Sequence, residues 1–140
     1  MTRGKFLKLA DHIAGWSKDP STKVGAVIVD RDRRIISTGF NGFPLHLDDT
    51  PERLNNRELK YQMILHAEEN AILLARRSVE GCTLYVTHPP CPHCASAIIQ
   101  AKIQRVICYK PTPDYMERWA EKVQLTGRMF DEAEIRYEHQ

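Results

Sequence analysis

Nowhere in this chain does an apolar run approach the ~20 residues that a membrane-crossing helix requires, which excludes a membrane span. Runs of one charge sign are equally scarce. The 20 basic and 18 acidic residues are interspersed, net charge is +2, and no basic tail argues for tight binding to nucleic acid. There is no internal repeat and no low-complexity stretch, which removes the solenoid and linker classes. The opening residues Met1-Thr2-Arg3-Gly4-Lys5 carry no apolar core of a secretion signal, and there are only four cysteines, two of them in one C-x-x-C. The expectation is therefore a reducing, cytoplasmic setting and not a disulfide framework. Apolar residues make up 42% of the 140, enough for a real core, and the length suits one domain over 1–140.

Two short stretches carry the chemistry: His66-Ala67-Glu68 and, after an interval, Pro90-Cys91-Pro92-His93-Cys94. Together they read H-x-E…P-C-x-x-C, the signature of zinc deaminases. Two thiolates and one imidazole suit zinc, and three protein ligands leave a fourth tetrahedral position for water. Cys91 and Cys94 are three apart, so at a helix start both sulfurs point to one side, where unpaired backbone N–H groups and the helix dipole favour thiolates. Glu68 would face away from His66 in mid-helix, but at a helix start both can address one metal. A base that takes a proton from water and returns it to a leaving nitrogen contributes about 10²–10⁴ in rate, and Glu68 is the residue for it. The competing reading is a structural zinc knuckle with a fourth ligand from Cys82, Cys108, His88 or His93. Structural sites, however, come as two paired knuckles, and the H-x-E arm is not one.

Along the chain, Phe6, Leu9, Ile13 and Trp16 recur at helical spacing and predict a helix over 3–17, ended by Ser17-Lys18-Asp19-Pro20. Two β-branched runs, 23–30 and 34–38, read as a hairpin, followed by the loop Gly39-Phe40-Asn41-Gly42-Phe43-Pro44. Asn41-Gly42 can be nothing more than a tight turn. Between 45 and 65 the pattern is irregular, although Thr50-Pro51 reads as a helix cap and first position. His46 there is a solvated loop histidine before it is a ligand for a second metal. Helices are expected over 67–77, 91–102 and 114–123, and strands over 82–87, 105–109 and 134–137. The alternation of helix and strand implies parallel pairing by right-handed crossovers, joined to the antiparallel hairpin in a mixed sheet with helices on both faces. Both metal arms then fall at helix starts beside strand ends, where open α/β sheets place their ligands.

Ser17-Lys18-Asp19-Pro20, Lys23 to Val29, Gly39 to Pro44, His66 to Ile72 with Asn70, Gly81 to Thr87 and Pro90 to Ala95 follow one another in an order that resembles the deoxycytidylate (dCMP) deaminases of the cytidine deaminase-like superfamily, over roughly 6–110. The resemblance implies an α/β fold, a mixed five-stranded sheet sandwiched between helices in three layers. It also implies hydrolysis of dCMP to dUMP with release of ammonia, feeding thymidylate synthesis. His66, Cys91 and Cys94 would bind one Zn²⁺ and Glu68 would shuttle protons. Ala67 would offer a backbone group to the pyrimidine edge, Asn41 would hydrogen-bond the deoxyribose hydroxyl, and the Pro89 carbonyl would accept from the substrate amine. Related enzymes are homo-oligomers, often hexamers, and many respond to dCTP and dTTP, with Mg²⁺ accompanying the triphosphate. The short stretch between Gly42 and His66 has no cysteine and only His46 as a histidine, and so lacks the extra set that some relatives use for a second zinc. No motif fixes the phosphate; Lys18, Lys23 and Arg105 are candidates, each otherwise an ordinary surface cation.

Other deaminations stay open at this point, on dCTP, a free nucleoside or base, or tRNA adenosine, as does a non-catalytic zinc module. A tRNA enzyme would be expected to carry basic clusters near its C-terminal helix. Residues 131–140 are mixed to acidic instead, and the presence of Glu68 speaks against a dead module.

Overall fold

The computed structural model describes residues 2–140, with side chains from residue 4 onward, so Met1 of the polar opening stretch lies outside the described residues. In chain order the elements are α1 (Thr2–Ala14), β1 (Gly25–Val29), β2 (Ile35–Phe40), α2 (Pro51–Asn55), α3 (Arg57–Met63), α4 (Ala67–Ala75), β3 (Thr83–Val86), α5 (Pro92–Gln100), β4 (Arg105–Cys108), α6 (Pro113–Glu132) and β5 (Arg136–His139). The strands form one mixed sheet ordered β2-β1-β3-β4-β5. β1 runs antiparallel to both β2 and β3, while β3, β4 and β5 run parallel, as the alternation of elements required.

Successive strand side chains point to opposite faces, and the core divides accordingly. Ala26, Ile28, Leu84, Val86, Val106 and Cys108 meet Ala67 and Ala71 of α4, Ala95 and Ile98 of α5, and Phe130 of α6. Val27, Val29, Tyr85 and Ile107 meet Phe6, Leu7 and Ala10 of α1 on the other face. Fully burying one such side chain stabilises by about 1.5–3 kcal/mol, so each layer is held by its apolar stripe.

Two glycines set how closely the layers approach. A Cβ on Gly25 would lie 2.0 Å from the Ala10 carbonyl oxygen, and one on Gly39 would lie 2.4 Å from that of Ala67. The second contact corrects the sequence reading. β2 does not end at residue 38 but continues through Gly39 and Phe40, because the bare glycine lets the first turn of α4 rest on the strand. The side chain of Asn70 fastens the same junction, donating to the Phe40 carbonyl at 2.7 Å.

Other boundaries also shift. α1 stops at Ala14, short of the expected 17. α6 runs on to Glu132, nine residues past the expected 123, because Val123, Thr126 and Phe130 form one buried stripe and Gly127 faces open space. In the irregular stretch, Thr50 caps α2 with Pro51 at its first position as expected, and Asn56 both ends α2 and caps α3.

Candidate active site

The two metal-binding arms are the N-termini of two neighbouring helices. His66 is the N-cap of α4 and Cys91 the N-cap of α5, both in extended backbone conformation. That geometry resolves the His66–Glu68 problem: His66 stands outside the helix and turns its ring inward, while Glu68 sits in the first turn, only 4% exposed. Pro92 occupies the first turn of α5, where its missing N–H is no loss. The Cys91 sulfur accepts from the Cys94 N–H at 3.5 Å, so the first ligand also caps the helix that carries the second. The Glu69 carboxylate accepts from the His66 N–H at 2.9 Å and lies 3.5 Å from His93 Nε2, which fixes the entry to α4.

His66 Nδ1 lies 3.1 Å from Cys94 Sγ and 3.6 Å from Cys91 Sγ. Tetrahedral zinc with bonds of about 2.0–2.1 Å to nitrogen and 2.3 Å to sulfur needs an N···S edge of about 3.6 Å, so the donor set fits the ion. Among the described residues this is the one group of three or more potential ligands whose atoms all lie within 4.8 Å of one another. The exposed His46 does not join a second. The electrostatics are those of a cation site. A hydrogen bond from Cys94 and another from His66 hold the Cys91 thiol far down, to about 3. The Cys91 thiolate in turn lifts His66 to about 9, against burial. The Cys94 thiol is pushed up by the hydrogen bond to Cys91 and by burial. A divalent cation replaces those shared protons with one positive centre.

These residues lie in a cavity of about 360 Å³ that also takes in Asp19, Asn41, Lys60, Ala67, Glu68, His88, Pro89 and Tyr115. Desolvation pushes the Glu68 carboxyl up to about 7, partly opposed by a backbone hydrogen bond and by the charge of His66. The cavity wall is aromatic on one side, with the His88 ring tilted against Tyr115 at 5.7 Å and Tyr115 against Trp119 at 6.5 Å. The Thr87 hydroxyl holds His88 in place: it accepts from the Gly25 N–H and lies 3.0 Å from His88 Nδ1.

Of the seven residues expected at the site, His66, Glu68, Cys91, Asn41, Ala67 and Pro89 line this cavity, and the buried Cys94 lies behind it in the ligand cluster. Asn41-Gly42 does not close a tight turn: the Asn41 N–H donates to the Val24 carbonyl at 3.4 Å, and Gly42 pairs with Leu65 in a short bridge. The Asn41 side-chain amide is instead held in the loop framework. Oδ1 accepts from the Val24 N–H at 2.9 Å, and Nδ2 donates to the Thr22 carbonyl at 2.8 Å and to Asp19 Oδ2 at 3.4 Å. Only one lone pair of Oδ1 remains for a ligand. Aspartate is therefore no mild replacement, because it loses both donors and sets a second carboxylate beside Asp19. Asn41→Asp is expected to melt roughly 5 °C or more below wild type, at about 1 kcal/mol per lost hydrogen bond; a calorimetric scan checks it.

The suggested phosphate cations are elsewhere. Lys18 pairs with Asp49 on the surface, Lys23 donates to the Ser17 carbonyl, and Arg105 starts β4 at the other end of the sheet. The cations along the cavity are Arg57, Lys60 and Arg118. Sequence reasoning missed them. The available signal was Arg57, Lys60, Tyr61 and Ile64 recurring at helical spacing, which becomes legible only once α3 has a face to dock.

Comparison with known proteins agrees with this geometry. Residues 1–110 match the cytidine and deoxycytidylate deaminase zinc-binding region. An uncharacterised deaminase from the luxG 3′ region of Aliivibrio fischeri is 50% identical over 131 residues, covering 94% of this chain and 88% of that protein. The deoxycytidylate deaminase of Mus musculus is 43% identical over 108 residues, covering 73% of this chain and 61% of the mouse enzyme. The crystal structure of a dCMP deaminase from cyanophage S-TIM5, in complex with dCMP and dUMP, superimposes with a TM-score of 0.77 at 24% identity, over 99% of this chain and 96% of the other, and shows the shared fold. On its motif, its cavity and its relatives, this chain belongs to the cytidine and deoxycytidylate deaminase zinc-binding family.

Proposed function

We propose that this protein is a zinc-dependent deaminase that hydrolyses dCMP to dUMP and ammonia. The observation that carries the reading is a buried carboxylic acid beside a His-Cys-Cys cluster, in a cavity whose outer part bears Arg57 and Arg118. His66, Cys91 and Cys94 would hold the zinc ion, and when bound it supplies a Lewis acid that makes water nucleophilic at neutral pH. Glu68 takes a proton from the attacking water and delivers it to N3 of cytosine, then takes the second proton from the new C4 hydroxyl and passes it to the departing amine as the C4–N4 bond breaks. The backbone of Ala67 and the carbonyl of Pro89 address the pyrimidine edge and its amino group. His88, Tyr115 and Trp119 cover the ring and exclude bulk water. The free lone pair of Asn41 Oδ1 accepts from the sugar hydroxyl. Arg57 and Arg118 neutralise the 5′-phosphate.

The 1–140 segment is read as one catalytic domain, a reading supported by the single sheet that gathers all its strands. Homo-oligomeric assembly, in the manner of a hexamer, is supported by Leu73 and Leu74, exposed apolar side chains on α4 that an assembly would cover. Regulation by dCTP and dTTP with Mg²⁺, and a cytoplasmic location, rest on the family resemblance. No helix among the described residues is long and apolar enough to cross a membrane.

The test is loss of cytosine absorbance with dCMP, CMP, dCTP, deoxycytidine, cytidine and cytosine as substrates, alongside elemental analysis. The expected result is one equivalent of zinc per chain and a clear preference for dCMP. Equal turnover of deoxycytidine would remove the phosphate from the reading, and two tightly bound equivalents would reveal a second metal site.

A further inference from the structure

Lys60 is a buried cation with no part in the chemistry above. Its ammonium group is 3.0 Å from Asp19 Oδ1, and the two side chains are only 5% and 7% exposed. It also donates to Ser21 Oγ at 3.4 Å. Asp19 Oδ1 further accepts from the N–H groups of Ser21 and Thr22, and Oδ2 from Asn41, so the carboxylate is a hub fixed from the far side of the cavity. Burying such a pair is costly unless further hydrogen bonds support it, and here Ser21, Thr22 and Asn41 all donate to the Asp19 carboxylate.

The position of Lys60 gives the pair its meaning. α2 contains no buried residue, and Lys60 is the single buried residue of α3. The insert between β2 and α4 is thus docked through an ion pair where an apolar stripe would be expected. Arg57, Lys60, Tyr61 and Ile64 share one face of α3 and all line the cavity. Arg57 in turn lies over the Tyr61 ring at 5.8 Å.

We infer that Lys60 is the positioning residue that latches α3 across the cavity and thereby sets Arg57 over the phosphate of the substrate. The inference rests on the proposed deamination of a nucleotide. A latch of this kind acts on ground-state binding of the phosphorylated substrate and leaves the chemical step at Glu68 alone.

The experiment compares wild type with Lys60→Met and Lys60→Arg. It measures kcat and KM for dCMP and for deoxycytidine, zinc content, and hydrogen exchange of residues 57–64 without nucleotide. Lys60→Met is expected to raise KM for dCMP about 10–100-fold, as misplacement of a binding group does, with kcat within about twofold. Deoxycytidine kinetics and zinc content should be unchanged, and α3 should exchange faster. Lys60→Arg should recover most of the loss. Equal losses on both substrates, or an unchanged KM for dCMP, overturn the inference, since a merely structural residue would not discriminate between them. Should Lys60→Met fail to fold, Lys60→Gln, which keeps a hydrogen-bond donor toward Asp19 without the charge, carries the same measurements. Should wild type not act on dCMP, the proposed function falls; the exchange comparison then decides the latch alone, and unchanged protection of 57–64 would overturn it.

Discussion

Glu68→Gln is expected to lower dCMP turnover by about 10²–10⁴-fold while leaving zinc content and fold intact. The amide has nearly the shape of the acid, and the position is only 4% exposed, so packing is preserved. What it cannot do is accept a proton and give it back. Desolvation places the Glu68 carboxyl at about 7, where both of its protonation states are within reach near neutral pH. The same shift has a readout independent of activity. The folded value of about 7 lies above the ordinary 4.5, so the folded metal-free protein binds that proton more tightly than the unfolded chain does. Its stability contribution is present below pH 4.5 and is lost as pH rises through about 7. Glu68→Gln should remove that slope, which urea titrations at several pH values would reveal. A variant keeping more than about a tenth of the wild-type rate would rule Glu68 out as the main shuttle.

Cys91→Ala should fail in a different way, by losing the metal. Zinc per chain is expected to fall from one equivalent toward none, because a histidine and a single thiolate do not make a tetrahedral site. Binding energy is partly folding energy. At free zinc about 1,000-fold above Kd the bound ion stabilises by about 4 kcal/mol. At about 2–4 °C per kcal/mol, the melting temperature should drop roughly 10 °C. A chelator separates the two roles of this sulfur. Stripped of metal, wild type and variant should still differ, by the helix cap that Cys91 gives to Cys94, about 1 kcal/mol, and by its hydrogen bonds with His66 and the Cys94 thiol. Full zinc content in the variant would show that Cys91 is not a ligand.

The metal arms were legible in the sequence because their chemistry is local. Three ligands and an acid fall within two short stretches, and Pro92 and the residues before α4 mark helix starts without reference to the rest of the chain. The parallel half of the sheet was legible for a similar reason, since alternating periods leave few topologies. What escaped depends on which face of an element meets another. Lys18, Lys23 and Arg105 look no less suited to a phosphate than Arg57 until α3 is seen lying across the cavity. Asn41-Gly42 has the composition of a turn, and only the buried partners Val24, Thr22 and Asp19 make it a strut. The length of α6 was hidden because Gly127 looks like a stop. Its buried stripe through Thr126 and Phe130 outweighs the roughly 1 kcal/mol a helical glycine costs.

Thr126 in that stripe donates to the Pro90 carbonyl at 2.8 Å, on a side chain with no exposure at all. The family match stops at residue 110, yet α6 lies wholly beyond it and supplies Tyr115, Arg118 and Trp119 to the cavity. A protein cut back to residues 1–110 would leave the carbonyl that precedes Cys91 without its partner, strip one wall from the base pocket and bare the apolar bed of Phe130. The stretch that the family model covers and the stretch able to work alone therefore differ. In swapping parts between relatives, the last helix has to travel with the metal loop it grips.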